Sequence, residues 1–424
     1  MSIPTKIIVR SYQVGFGDCF LLSFIYKNNS RHVLIDFGST GLPENIGKNH
    51  LLRVARSIRD DCGGKLHAVV ATHRHADHIS GFDPGEDNAG PGAIIALLKP
   101  DLVIQPWTED QNAREDAQSP GIVGKHSRAF LRAVEAFENA LPETARAIVD
   151  RRAGSPLMQQ LAFLGETNIA NHRAIKQLAK MGETGKARYV HYGSASGLNL
   201  PGVRVWILGP PTIEQSQSIT KQRSRDLEEF WHLVPGKAVD GNGEPPFSAR
   251  FRAKRAPVPA RWIIDRLKYL PAQELLEIVR ILDGVLNNTS VILLFEVGRQ
   301  LLLFPGDAQV ESWMYALSKA NENSDLRKRL EEVTVYKVGH HGSLNATPKS
   351  LWQMFRYRRV TGNRKGEPLL HTFLSSMHGK HGSVADNTEV PRRPLVAALK
   401  RETVYRSTEA LPHSKLRVEQ VFEP

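Results

Sequence analysis

Short apolar runs separated by polar turns open the chain and predict a series of strands. The runs at residues 6–12, 20–26 and 31–39 have the length and the β-branched and aromatic content of strands, and turns rich in glycine or asparagine separate them. Residues 50–59 instead carry apolar side chains at a spacing near 3.6 residues, which predicts a helix. The next apolar run, at residues 68–71, predicts a buried strand. This order of strands, helix and strand indicates a layered α/β fold.

The rest of the chain alternates between strand-like runs and two long segments of different character. Further strands are predicted at residues 101–107, 203–211, 287–295, 301–307, 333–338 and 372–376, with an edge strand at 415–421. Residues 108–193 show mainly helical spacing, which we interpret as a helical insertion. Residues 212–270 are polar, basic and rich in proline and glycine, which predicts a long loop insertion. This second insertion could grip nucleic acid or simply be solvated.

The predicted strand at residues 68–71 leads directly into a cluster of polar side chains that could bind metal. His73, His75, Asp77 and His78 follow within a few positions. Neutral imidazole and carboxylate groups are ligands that a divalent metal such as zinc prefers. Side chains two apart on an extended backbone point the same way, so the first two histidines can share one metal while Asp77 and His78 face a second. The alternative is a histidine-rich loop on the surface without a metal.

This pattern of His-x-His-x-Asp-His after a strand resembles the signature of the metallo-β-lactamase fold hydrolases. Ile-Asp-Phe-Gly-Ser at residues 35–39, Gly-Asp at 306–307 and Lys-Val-Gly-His-His-Gly-Ser at 337–343 resemble other stretches of that family in the expected order. Val-Gly-x-Gly-Asp at 14–18 looks, more narrowly, like the soluble domain of the competence protein ComEC and its relatives. The resemblance implies a single domain over residues 1–424, a four-layer αββα sandwich into which both insertions are built.

The resemblance also implies roles for single residues. Asp36 would be a buried carboxylate that supports the metal loop, and Asp307 would bridge two metals with its two oxygens. His341 is favoured as a ligand of the second metal, with His340 and Ser343 near the substrate phosphate, although the two histidines could exchange roles. Most hydrolases of this fold have a further histidine ligand, but ComEC-like members often lack an obvious one. The sequence does not decide which of His126, His172 and His191, if any, is that ligand, and a surface or core role is the alternative for each. His378 and His381 are candidates for substrate contact, with a surface role as the alternative.

Composition and charge narrow the class of partner. The chain has 424 residues, of which 41% are hydrophobic, enough for a sizeable core. Its formal net charge is +12, and such a positive field favours partners that carry phosphates, although a basic soluble protein without such a partner remains an alternative. The densest basic cluster, a candidate for substrate binding, contains Arg250, Arg252, Lys254, Arg255, Arg261, Arg266 and Lys268.

The sequence offers no sign of export or membrane insertion, and a reducing cytoplasm is the expected location. The chain contains two cysteines and no disulfide framework, so oxidising surroundings are not indicated. The first residues lack the charged and then apolar layout of a signal peptide. No apolar run approaches the roughly 20 residues of a membrane helix.

The predicted chemistry is hydrolysis assisted by two divalent metals, zinc or manganese. Two metals about 3.5–4 Å apart would clamp the attacking and leaving oxygens of a displacement, and the water between them would become the hydroxide nucleophile. Asp77 would both bind metal and orient that nucleophile. A metal site alone would also suit β-lactams, thioesters or lactones. The resemblance and the positive charge together predict a phosphodiester substrate, and a DNA nuclease in particular, which could be the effector subunit of a larger system.

Two alternatives stay open at this point. One is a phosphodiesterase for a small molecule, such as a cyclic nucleotide or a phosphorylcholine-like ester, which a narrow site roofed by the helical insertion would favour. The other is a hydrolase that is inactive until a partner protein binds, for example an ATPase regulator docking on the polar insertion.

Overall fold

Two sheets flanked by helices make up the part of the chain that is described. The computed structural model describes residues 3–43, 46–47, 49–110, 171–220, 226, 228–231, 286–359, 368–384, 388–409, 411–412 and 414–424. The strands in these ranges are β1 (Lys6–Tyr12), β2 (Cys19–Ile25), β3 (Ser30–Phe37), β4 (Ala68–Val70), β5 (Leu102–Pro106), β6 (Ala187–Val190), β7 (Arg204–Gly209), β8 (Ile292–Val297), β9 (Gln300–Phe304), β10 (Val335–Lys337), β11 (His371–Leu374), β12 (Val404–Ser407) and β13 (Arg417–Phe422). The α-helices are α1 (His50–Asp61), α2 (Ala76–Ile79), α3 (Pro91–Leu97), α4 (His172–Thr184), α5 (Val310–Glu322), α6 (Ser324–Glu331), α7 (Lys349–Met354) and α8 (Arg393–Glu402).

Both sheets are mixed, with an antiparallel and a parallel part. The first has the order β13–β1–β2–β3–β4–β5–β6 and the second has the order β12–β11–β10–β9–β8–β7. In the first sheet the pairs are antiparallel from β13 to β3 and parallel from β3 to β6. In the second they are parallel from β12 to β9 and antiparallel from β9 to β7. Functional groups are therefore expected beyond the carboxyl ends of the parallel strands.

The apolar side chains divide into three layers of packing. Val9, Phe20 and Phe304 belong to the core between the two sheets, to which alternate residues of both sheets contribute. The outer face of the first sheet packs against α1, α3 and α4, and that of the second against α5 to α8. The order of layers is thus helix, sheet, sheet, helix. Burying each large apolar side chain contributes roughly 1.5–3 kcal/mol.

The strands predicted from apolar runs are found, with small shifts at their ends. β1 has the predicted bounds, and β13 is the outer strand of its sheet, so the predicted C-terminal edge strand is confirmed. The strand predicted from residue 287 begins only at Ile292, because hydrogen bonds from Thr289 N to Leu286 O and from Ser290 N to Asn287 O form a turn first.

The two predicted insertions fall largely outside the described residues. Residues 111–170 of the helical segment and 232–285, which include most of the polar segment, are not described. Within the former segment, the helix α4 is found, but β6 was not predicted and pairs in parallel with β5. Three of the four residues of β6 are at least partly exposed, so its sequence carries little apolar signal. None of the helices in the described ranges has both the length and the apolar character needed to cross a membrane.

Two histidines of the first sheet make stability depend on pH. His32 lies with Nδ1 2.8 Å from Ser23 Oγ, and its backbone N donates to His67 Nδ1 at 3.0 Å. Burial lowers the pKa of each histidine to about 4, and neighbouring positive charge on Arg10 and Arg31 adds to this. In the unfolded chain both histidines have a pKa of about 6.5. Below that pH the unfolded chain therefore binds protons that the folded protein does not yet bind.

We therefore expect stability to fall as the pH drops from about 6.5 to 4. Urea unfolding at several pH values, with a chelator present to remove any cation, measures the slope. His32→Gln should make the slope of the free energy of unfolding against pH shallower, by up to the contribution of about one bound proton. Equal slopes for the wild type and this variant would contradict the assignment.

Candidate metal centre

The loop after β4 is held in place by the end of β3. Asp36 Oδ1 accepts a hydrogen bond from Thr72 N at 2.7 Å, and Asp36 Oδ2 accepts one from Thr72 Oγ1 at 2.8 Å. Asp36 Oδ2 also lies 2.8 Å from His78 Nδ1. A Cβ atom on Gly38 would lie 2.4 Å from the backbone of His78, so only glycine allows this approach. Asp36 thus supports the loop in the way that the resemblance implies.

The first group of potential ligands lies within this loop. His73, His75 and Asp77 each offer an atom within 4.8 Å of the others. His73 Nε2 is 3.0 Å from His75 Nδ1, and both side chains are buried. The two histidines that lie two apart in the sequence therefore come together, as their spacing predicts.

The second group joins the loop to the other sheet. Asp77, His78, Asp307 and His341 offer atoms that also lie within 4.8 Å of one another. His341 Nε2 is 3.1 Å from Asp77 Oδ2, and His78 Nε2 is 3.0 Å from Asp307 Oδ2. His341 Nδ1 is 3.0 Å from Ser375 O and is the donor there, so its Nε2 is left to face the group. Asp77 belongs to both groups, which places two candidate cation positions side by side.

Asp307 presents one carboxylate oxygen to this group. Its Oδ2 faces His78 and lies 3.5 Å from His341 Nε2. Its Oδ1 is occupied by Lys337 Nζ at 3.3 Å and by the backbone N of His340 at 3.1 Å. Oδ2 therefore faces the second group, while Oδ1 is hydrogen-bonded within the protein. That Asp307 bridges two metals, as the resemblance implies, stays a prediction.

The segment that carries His340 and His341 has an unusual backbone. His340, His341 and Gly342 have φ values of 41°, 52° and 79°, a left-handed conformation that is costly for the two histidines and is typical of functional sites. It directs His341 into the cluster while His340 keeps 26% of its side chain exposed. Ser343 Oγ is 2.9 Å from His340 Nδ1 and donates to Asn345 Oδ1 at 3.3 Å. His340 Nδ1 is then the donor to Ser343, which leaves Nε2 as an acceptor.

Electrostatics draw positive charge to the second group. Burial lowers the pKa of His78 and of His341, but Asp307 and the other nearby carboxylates together outweigh burial, and both pKa values are raised. Burial raises the pKa of Asp77, but the hydrogen bond from His341 and the charge of His78 bring it below its ordinary value. Asp77 Oδ1 is buried and has no hydrogen-bond partner among the residues that the structure describes. A cluster that attracts protons and contains an unsatisfied carboxylate oxygen has the properties of a cation site.

The donor set fits divalent metals. Ligand atoms bound at about 2.0–2.2 Å to a tetrahedral zinc are separated by roughly 3.4 Å. The distances of 3.0 to 3.5 Å between the His78, His341, Asp77 and Asp307 atoms are close to that value. Nitrogen and oxygen ligands suit either zinc or manganese.

The remaining predicted residues are divided between the site, the surface and the part that is not described. His381 is half-buried and its ring centroid lies 4.4 Å from that of Phe16, which is also 4.4 Å from His341. His378 is exposed and pairs with Glu409. His191 is buried with Nδ1 2.9 Å from Tyr192 O, and His172 begins α4. His126 and the cluster of Arg250, Arg252, Lys254 and Arg255 lie outside the described residues.

Sequence reasoning missed two buried ion pairs at the site. Arg74, between the first two histidines, contacts Glu109 through Nε at 2.8 Å and Nη2 at 2.7 Å. Lys337 is buried against Asp18 and Asp307. Both residues of the second pair lie in recognised motifs: Asp18 ends the Val-Gly-x-Gly-Asp stretch, and Lys337 begins the Lys-Val-Gly-His-His-Gly-Ser stretch. Nothing in the sequence, however, indicates that these two residues pair with each other.

Comparison with models of known protein families gave no match, and a search of curated proteins found none that is similar to the chain.

Proposed function

We propose that this protein is a metal-dependent hydrolase that uses two divalent cations, zinc or manganese, to cleave phosphodiester bonds, most specifically those of DNA. The observation that carries the proposal is the pair of adjacent ligand groups, His73 with His75, and Asp307 with His341, which share Asp77. A pair of neighbouring cations is the arrangement that suits in-line displacement at phosphorus.

The architecture supports a metallo-β-lactamase type of sandwich related to the ComEC-like group. The layers follow the order helix, sheet, sheet, helix. The ligands lie just beyond the carboxyl ends of β4, β9 and β10, which are parallel strands of both sheets. This is the arrangement that the resemblance of the motifs implies.

DNA as the substrate is supported by charge and by the partial exposure of the site. The net charge of +12 favours a polyanion. His340 is partly exposed and Asp77 keeps 11% of its side chain exposed, so a phosphate can reach the group from this side. A partner protein such as an ATPase regulator stays a prediction, because the segment suggested for its docking lies largely outside the described residues.

The mechanism follows from the placement of these side chains. The cations, when bound, would neutralise the phosphate and make a water molecule between them more acidic. Asp77 Oδ1 has no hydrogen-bond partner within the described part of the chain and can orient an attacking water. Burial lowers the pKa of His340 to about 4, so at neutral pH the imidazole is neutral and its Nε2 can accept a hydrogen bond from the attacking water. Ser343, hydrogen-bonded to Nδ1, fixes the orientation of this imidazole.

Cleavage of defined DNA substrates by wild type and His75→Ala/Asp77→Ala tests the proposal. Supercoiled plasmid, linear DNA, single-stranded DNA and RNA are each incubated with manganese, zinc or magnesium. We expect only the wild type to cleave DNA, and only with a metal; cutting of the circular plasmid would identify an endonuclease. Equal cleavage by both proteins, or intact DNA and RNA under all metals, would contradict the proposal. Cleavage of bis(p-nitrophenyl) phosphate without cleavage of DNA would replace it by a small-molecule phosphodiesterase.

A further inference from the structure

The ammonium group of Lys337 is buried beside the candidate cation positions and is fully used by internal acceptors. Only 2% of its side chain is exposed. Nζ donates to Gly306 O at 2.8 Å, lies 3.3 Å from Asp307 Oδ1 and contacts Asp18 Oδ2. An ammonium group has three hydrogens, and these three oxygens account for them. Lys337 is therefore not directed at a substrate.

Asp18, the partner of Lys337, connects the two halves of the centre. Its backbone N donates to Asp77 O at 2.8 Å, and this hydrogen bond fixes Asp18 to the loop after β4. Its carboxylate lies 3.8 Å from His78 Nδ1 and 3.7 Å from His341 Nδ1. Asp18 thus lies behind the imidazole rings, on the side away from the atoms that face a cation.

Opposite charges meet directly in this buried pair. Burial lowers the pKa of Lys337, but Asp18 and Asp307 together raise it by more, and the net shift is upward. Burial raises the pKa of Asp18; the charge of Lys337 opposes that shift without cancelling it. The buried carboxylates of Asp18, Asp36, Asp77 and Asp307 outnumber this one ammonium group, so the centre keeps its attraction for divalent cations.

We propose that Lys337 and Asp18 are positioning residues that hold Asp307 with one oxygen toward His78 and His341, and thereby shape the second cation position. The inference rests on the proposed metal centre and deepens it. Without the pair, Asp307 Oδ1 loses its ammonium donor, and the carboxylate can rotate. The first position, formed by His73 and His75, depends on neither residue and should remain.

The test is the double variant Asp18→Asn/Lys337→Met, which removes the pair without changing the net charge. Cation binding is measured by equilibrium dialysis with elemental analysis over a range of free zinc, and the ligand field by the absorption spectrum of the cobalt-loaded protein. We expect the second cation to bind roughly 10–100 times more weakly, as is typical when a residue that supports a ligand is lost. The first cation should bind as in the wild type, and the cobalt spectrum should change.

Two further variants separate positioning from stability. Arg358→Met/Glu402→Gln removes another ion pair, joined at 2.7 Å and remote from the centre, and should leave both affinities unchanged. Asp18→Asn alone keeps the side-chain size and an acceptor for Lys337, and should weaken the second cation even if the double variant does not fold.

The outcomes also distinguish this inference from the proposed function. If the wild type binds no cation, the metal centre itself is wrong. If the wild type binds two cations, and the Asp18 variants bind both with unchanged affinity and spectrum, the positioning role alone is overturned.

Discussion

Replacing Asp77 with asparagine is expected to lower the rate of DNA cleavage by about a thousandfold or more. Asp77 is shared by both ligand groups, and its Oδ2 lies 3.1 Å from His341 Nε2. The amide removes the negative charge that both cation positions use, and can turn a hydrogen-bond donor toward them. A cation stabilises a charged transition state by several kcal/mol, which corresponds to a factor of this size. Cleavage kinetics and metal content together measure the effect.

Asp83→Asn provides the matched control. Asp83 is an aspartate of the same loop region that pairs with Arg173 at 3.1 Å and keeps 38% of its side chain exposed. This variant should cleave DNA at the wild-type rate and bind the same amount of metal. Retention of full activity and full metal content by Asp77→Asn would contradict the role given to the shared carboxylate.

Replacing Glu109 with alanine is expected to destabilise the protein by about 3–5 kcal/mol, which is typical when one partner of a buried ion pair is removed. Arg74 and Glu109 are each only 4% exposed, and two hydrogen bonds join them. Without Glu109 the buried guanidinium group loses the carboxylate to which both of these hydrogen bonds run. Urea unfolding monitored by circular dichroism measures the loss in the free energy of unfolding.

A double-mutant cycle shows whether the loss comes from the pair. Arg74→Met/Glu109→Ala should be less destabilised than Glu109→Ala alone, because the buried guanidinium group is removed together with its carboxylate. The exposed pair Arg327–Glu331, joined at 2.9 Å, serves as a comparison, and Glu331→Ala should cost no more than about 0.5 kcal/mol. Equal losses for Glu109→Ala and Glu331→Ala would be inconsistent with a buried, paired guanidinium group.

The ligands that the sequence could predict are those that the chain places close together or inside a distinctive motif. His73, His75, Asp77 and His78 lie within one loop, and their side-chain chemistry alone indicates metal. The strands that lead to the site are predicted for a similar reason: both faces of β4 and β5 are buried, so β4 is a continuous apolar run and β5 is apolar except for Gln105.

The contacts that sequence reasoning missed depend on distant parts of the chain meeting. A lysine at the end of an apolar strand, such as Lys337, has the same local pattern whether it faces water or a buried carboxylate. His378 and His381 are equally polar in the sequence, yet exposed His378 pairs with half-buried Glu409, and half-buried His381 packs on Phe16. The strand β6 was missed because it is mostly exposed. In each case the partner, and not the residue itself, determines the role.

Because Asp77 belongs to both ligand groups, the two candidate cation positions are completed at different times while the chain is synthesised. Asp77 and His341 are separated by 264 positions, so the first ligand group leaves the ribosome long before the second. A nascent chain can hold the loop histidines but lacks the ligands that complete the pair of cation positions. If the proposed cleavage needs both cation positions, the chain stays inert until His341 has been synthesised and both sheets have met.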